Sequence, residues 1–350
     1  MKKSVLAMAV LGAFAANGAT AADTATVSGF ADIIYTITDE ASDAAEDCTT
    51  NCTNDTEDKF TASGELDFTA TPADGVTVRV DVDLELDGSD SGNIEQAYFA
   101  WGATDNVTVL GGVFNNPIGH EAEDAPDMNF TTHGAVYTAL DSQTALDGDN
   151  VAGLGAAFGL GPVTATVAVL NDLNQVDEEN SLALVLNYAA IEGLDLELGY
   201  ASQTGNALLG DEDGVNTSVG DVVNFNAVFT GVENLELGLD YLMGDEVLDN
   251  AYDLWAGYTI NAFTAKVRYS EIAYDDGDVD KAIAAAGADA VVGALDDVGL
   301  PGGDITATTL YLSYQVASNL SAALEFTTYD PDAEGAEKQD LATLEFIATF

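Results

Sequence analysis

Positive charge is what this chain lacks most: 8 Lys and Arg stand against 61 Asp and Glu in 350 residues. That balance excludes nucleic acid as a partner, because phosphate is gripped by Lys and Arg. Histidine is limited to His120 and His133, and no G-x-S-x-G segment occurs. No nucleophile is therefore provided with a base and an orienting group, and the chain reads as a non-enzyme. Also missing, beyond residue 21, is any run near the ~18 consecutive apolar residues of a membrane-spanning helix. Disorder, the usual companion of high net charge, is excluded by a composition that is 47% hydrophobic. If such a chain enters a membrane it must do so as a closed barrel, the only other form that satisfies every backbone group in lipid.

Cysteine is confined to Cys48 and Cys52 in CTTNC. The first 21 residues place Lys2 and Lys3 before an apolar stretch, Val5 to Ala16, and close on small residues with Ala19 and Ala21 in an A-x-A arrangement. This reads as a secretory signal peptide cut after Ala21, leaving 22–350 as the mature chain. Loss of Lys2 and Lys3 takes the net charge from −53 to −55. In an oxidising compartment the favoured reading of Cys48 and Cys52 is a local disulfide that shapes a loop. A metal site there would need further ligands, and no histidine is near in sequence.

What the sequence has in abundance is period-2 alternation. Segments bounded by Gly, Pro, Asn and Asp predict strands near 24–37, 60–70, 75–87, 93–101, 106–113, 149–158, 162–170, 181–190, 193–202, 221–230, 234–243, 251–260, 262–271, 304–315, 319–328 and 340–350. Their connections sort by length. TPAD, GLG and IE are tight turns, whereas 38–59, 114–148, 203–220, 272–303 and 329–339 are long and polar. An even strand number, short turns at one end and long loops at the other predict an all-β fold, a transmembrane antiparallel barrel of about sixteen strands with short periplasmic turns and long extracellular loops.

The strand faces assign lipid and lumen. In VTVRVDVDLELD the valines and leucines share one side, and Arg79, Asp81, Asp83 and Glu85 share the other. The same parity turns Glu65, Asp67, Asp195, Glu197, Glu236, Asp240, Glu325 and Glu345 inward, with Lys266 and Arg268 as the further inward bases and Tyr98 and Tyr311 as inward aromatics. Tyr35, Phe68, Tyr200, Tyr241, Tyr258 and Tyr269 recur at strand ends, as an interfacial aromatic girdle in lipid requires. About sixteen strands enclose a water-filled channel, where eight would be plugged by their own side chains.

The last ten residues, LATLEFIATF, alternate and stop on Phe350. They resemble the final strand of outer-membrane barrels, and the resemblance implies that Phe350 is the signal read by the barrel-assembly machinery. In overall plan the mature chain resembles Gram-negative general porins. GGVFNNPIGHEAEDAPDMNFTTHG (111–134), with an F-x-x-P-x-G-x-E run, resembles a segment of OmpL-like β-barrel porins. The resemblance implies an outer-membrane location, passive diffusion of small hydrophilic solutes and cations, a homotrimer, and a connection after the fifth strand that folds inward and narrows the pore. Here that connection is 114–148, with apolar anchors Phe114, Ile118, Met128 and Phe130 and with Glu121, Glu123, Asp124 and Asp127 at the constriction. A surface loop is the competing reading. Gly29 and Ala31, small residues on the apolar face of the first strand, suit a trimer contact.

The chain departs from that family in having no inward arginine ladder. Acidic rings concentrate cations and exclude anions, so the predicted pore prefers cations. Two other readings share the barrel: a solute-specific channel, and an acidic adhesion barrel with a closed pore. Carboxylates this dense need screening by salt or divalent ions. YDDGDVD (274–280) offers Asp275, Asp276, Asp278 and Asp280 as oxygen ligands for Ca²⁺, but without the twelve-residue loop ending in Glu. A solvated acidic loop is the favoured reading there, and no cofactor is expected.

Overall fold

Alternating side chains make a strand only if both faces find their solvent, and here one face meets lipid and the other meets a folded-in loop. The computed structural model describes residues 25–39, 59–84, 93–142, 149–171, 173, 180–202, 219–275, 303–332 and 338–350. The predicted leader, Cys48, Cys52, Glu85 and all of the 276–280 acids lie outside the described residues.

Sixteen strands run β1 Ala25–Asp39, β2 Lys59–Ala73, β3 Val76–Asp83, β4 Asn93–Thr104, β5 Val107–Asn115, β6 Asn150–Leu160, β7 Val163–Leu170 and β8 Ser181–Ile191. They continue as β9 Leu194–Ala201, β10 Val222–Phe229, β11 Leu235–Met243, β12 Leu248–Ile260, β13 Phe263–Tyr274, β14 Ile305–Ala317, β15 Leu320–Pro331 and β16 Gln339–Thr349. Each pairs antiparallel with its sequence neighbour, and β1 pairs with β16 to close the barrel. The predicted strands are all present. Phe114 belongs to β5 rather than to the following loop, because its backbone pairs with Val151.

The tight turns at one end use left-handed backbone: Gly75 between β2 and β3 and Gly193 between β8 and β9 have φ of 72° and 73°, which glycine adopts without a Cβ penalty. At the closing seam the Phe350 N–H donates to the Gly29 carbonyl at 3.0 Å. A Cβ built on Gly29 would lie 2.1 Å from the Glu65 carbonyl and 3.0 Å from the Phe350 ring. The terminal aromatic is thus seated where the barrel closes.

Outside, Val27, Phe60, Leu154, Leu182, Leu310 and Leu324 are more than half exposed, as residues facing lipid are in a single barrel. Two aromatic levels flank them. Tyr35 stacks on Phe60 (4.6 Å) and Tyr241, Tyr252 and Tyr269 form a chain at the long-loop end, while Phe263 and Tyr314 (4.6 Å) sit at the short-turn end. Of the predicted girdle residues, Phe68, Tyr200, Tyr258 and Tyr269 are exposed on this outer face.

Candidate functional site

The site is the lumen, and the segment after β5 is what shapes it. From Asn116 the chain turns inward, passes back and forth across the barrel, and forms the short helix α1, Ala135–Asp141, before β6. Apolar packing fixes one side of this path. Ile118, Phe130, Val136 and Leu140 are each at most 3% exposed, and Ile118 rests on β9, where a Cβ on Gly199 would meet it at 3.1 Å. The barrel interior opposite carries apolar and small residues, Leu110, Val151, Ala168, Leu170 and Val185, in one cluster with Ile118, Val136 and Leu140. Each of these four loop and helix side chains stabilises docking by about 1.5–3 kcal/mol on burial. The segment therefore folds inward, as the family resemblance implies.

Carboxylates fix the other side. A loop crossing a lumen presents backbone N–H groups that strand partners cannot satisfy, and each must find an acceptor. Asp240 on β11 accepts from His120 N at 3.0 Å. Asp253 on β12 accepts from Ala135 N and Val136 N, both at 3.0 Å, at the start of α1. On β15, Glu325 accepts from Thr131 N at 2.8 Å and Thr132 N at 3.1 Å, and Glu345 on β16 accepts from Thr131 Oγ1 at 2.9 Å. These wall acids serve as anchors for the loop rather than as free charges in channel water.

The inward bases are equally committed. Arg268 sends Nη2 to the carbonyls of Thr132 and His133, both at 2.9 Å, lies over the Phe130 ring at 4.5 Å and reaches Glu121 at 3.6 Å. Lys266 binds Asn129 at 2.7 Å and Glu236 at 3.1 Å. Arg79 is clasped by Asp67 at 2.7 Å and by Asp81. All three face inward as parity predicts, and none is left as an isolated positive charge.

The four acids expected at the constriction do not share one environment. Glu121 is held between Arg268, His133 and the Gly134 N–H (2.8 Å). Burial alone would raise its pKa, but the His133 contact, the Arg268 charge and the amide together hold it below the usual carboxylate range. Glu123 is pushed far up by burial and by neighbouring Glu95, and Asp124 is raised by burial and by Glu95, with Glu65 opposing. Asp127 is the exposed member of the set. His120 stacks on Trp255 at 5.2 Å, and its pKa is lowered chiefly by burial; His133 stacks on Tyr137 at 3.7 Å.

Glu95 and Asp253 are inward acids that parity reading missed. Asp253 was legible, since AYDLWAGY alternates with Asp253 and Trp255 on one side. Glu95 was hidden by a bulge between Asp81 and Val82 in the β3–β4 register, which turns both Glu95 and Gln96 inward. Two consecutive polar residues between Ile94 and Ala97 are the sequence trace of that bulge.

A closed sixteen-strand barrel with an infolded loop after the fifth strand is an architecture that known proteins share. The model of the Gram-negative porin family matches residues 6–342. The chain belongs to the Gram-negative porins. This porin shares its fold with the outer-membrane channel DcaP of Acinetobacter baumannii, at 15% identity and a TM-score of 0.63, over 95% of this chain and 100% of that one. It is similar to OprB of Pseudomonas putida at 12% identity and a TM-score of 0.66, over 93% and 94% of the two chains. A mutant of the Rh. blastica porin aligns at 15% identity and a TM-score of 0.56, over 93% of this chain and 100% of that chain. Among curated proteins, none matches the chain in sequence. The porin is a protein of the bacterial outer membrane, and its family and fold are those of passive channels rather than of enzymes.

Proposed function

We propose that this porin is a water-filled channel that passes small hydrophilic solutes passively and prefers cations. The observation that carries the reading is the one-sided charge of the lumen. Among the described residues the inward bases are Arg79, Lys266 and Arg268, and each lies within 3.6 Å of a carboxylate. Asp83, Asp127, Asp195 and Glu236 remain partly or fully accessible to the lumen. A low-dielectric wall lined by one sign of charge raises the local concentration of the opposite ion. The constriction is assigned to the infolded loop, with Asp127 at its exposed turn and Glu121, Glu123 and Asp124 held against the wall. Liposome swelling tests the channel itself: vesicles carrying the porin are expected to swell in small uncharged sugars, with rates falling as solute size grows. Vesicles that do not swell would mark a closed adhesion barrel.

The assembly read from the family resemblance is a homotrimer. Its support here is a small-residue patch on the outer face at the closing seam, where Ala31 lies between Gly64 and Ala348 in register. Mass measurement in mild detergent is expected to give three chains per particle, and a monomer in every detergent would end this reading.

A further inference from the structure

Two groups of carboxylates on the β2–β4 wall lie close enough to hold one ion, with one oxygen from each residue within 4.8 Å of the others: Glu65, Asp67 and Asp81, and Glu65, Asp83 and Glu95. They differ in what neutralises them. The first group encloses the Arg79 guanidinium, which binds Asp67 and Asp81 directly. In the second, Arg79 reaches Glu65 at 3.6 Å, farther than its contacts with Asp67 and Asp81. Glu65 is 1% exposed, yet neither of its carboxylate oxygens has a hydrogen-bond partner among the described residues. The same holds for Glu95 Oε2, and for Oε1 of the buried amide Gln96, whose Nε2 donates to Glu95 at 3.2 Å.

The infolded loop adds acid to this place instead of relieving it. Asn150 Nδ2 donates to Glu95 at 3.0 Å and to Glu123 at 3.2 Å, which sets those two carboxylates side by side. Asp124 interacts with Glu65 from the same loop turn. Oxygen-only ligands, most of them anionic, with buried oxygens of Glu65 and Glu95 that lack a hydrogen-bond partner among the described residues, are the donor set of a hard divalent cation. Ca²⁺ takes six to eight oxygens at about 2.3–2.6 Å, from carboxylates, amide carbonyls and water. Leaving such oxygens buried without a partner is costly, and an ion that binds them all removes that cost.

We propose that Glu65, Asp83 and Glu95, completed by Glu123 and Asp124, bind a Ca²⁺ ion that clamps the tip of the infolded loop to the β2–β4 wall. The site is internal and separate from the 274–280 acids. The proposal goes beyond the channel reading and does not depend on ion selectivity.

Titration calorimetry of the full chain folded in detergent, stripped with EDTA and held at fixed ionic strength, tests it with CaCl₂ alone. One saturable site per chain is expected. E65Q/E95Q should weaken it by at least about tenfold, as expected when charged ligands are lost, whereas D330N at the long-loop rim should leave it unchanged. Ca²⁺ should also slow hydrogen exchange at Asp127 N and Met128 N, which close the loop turn on the Asp124 carbonyl. If E65Q/E95Q does not fold, as judged by heat-modifiable migration, E123Q/D124N on the loop carries the same expectation. No saturable binding, or equal binding by wild type and either folded variant, overturns the proposal. No bilayer is involved, so either result leaves the conduction reading to its own tests.

Discussion

Deleting residues 119–133 is expected to raise single-channel conductance severalfold while leaving the barrel folded. The segment crosses the lumen from β11, through His120, to β15 and β16, through Thr131, and the cross-section it fills becomes water when it is gone. The barrel should survive because its ladder is continuous: every strand pairs with two neighbours without help from the loop. The deletion also frees Asp240, Glu325 and Glu345, which now accept hydrogen bonds from His120, Thr131 and Thr132, against one freed base, Arg268, whose partners Glu121, Thr132 and His133 are removed. Cation preference should therefore persist in the wider pore. Planar-bilayer recording with the folded deletion variant checks both points, and unchanged conductance would show that this loop does not limit the channel.

Replacing Arg268 with alanine should release the loop without cutting it. Arg268 is 3% exposed and at once neutralises Glu121, holds two loop carbonyls and covers Phe130. Removing one partner of a buried ionic cluster typically costs about 3–5 kcal/mol, since the remaining charge is stranded. The amides of Thr131, Thr132 and Gly134 should then exchange faster by on the order of a hundredfold or more. R268K should fall between, because an ammonium cannot place two donors on two carbonyls with the same geometry. Exchange at wild-type rates in R268A would mean that apolar packing alone holds the loop.

These expectations show where the sequence was sufficient and where it was not. Strand positions were legible because lipid and lumen impose a period of two on every crossing, and a shift by one residue would put Asp81 or Glu197 into lipid. The seven-residue helix α1 was not. Its first amides are satisfied by Asp253, more than a hundred positions away, so AVYTALD carries no local capping signal. The same distance hid the role of the wall acids. Parity correctly turned Asp240, Glu325 and Glu345 inward, but nothing near them in the chain says that their oxygens are spent on the amides of His120, Thr131 and Thr132. Glu121 was legible as an acid of the constriction and not as the buried partner of Arg268, because that pairing exists only after the loop has folded in. Of the expected apolar anchors, Ile118 and Phe130 are buried within the barrel, Phe114 is buried as part of β5, and Met128 is half-buried.

The proposed cation preference rests on the imbalance of charge in the lumen. Its most direct test is the reversal potential of the purified porin in a planar bilayer under a tenfold KCl gradient. A potential of the sign set by K⁺ moving down its gradient is expected, with a shift toward zero when the exposed loop acid is removed in D127N. A potential of the opposite sign, or a bilayer that stays closed, would contradict it.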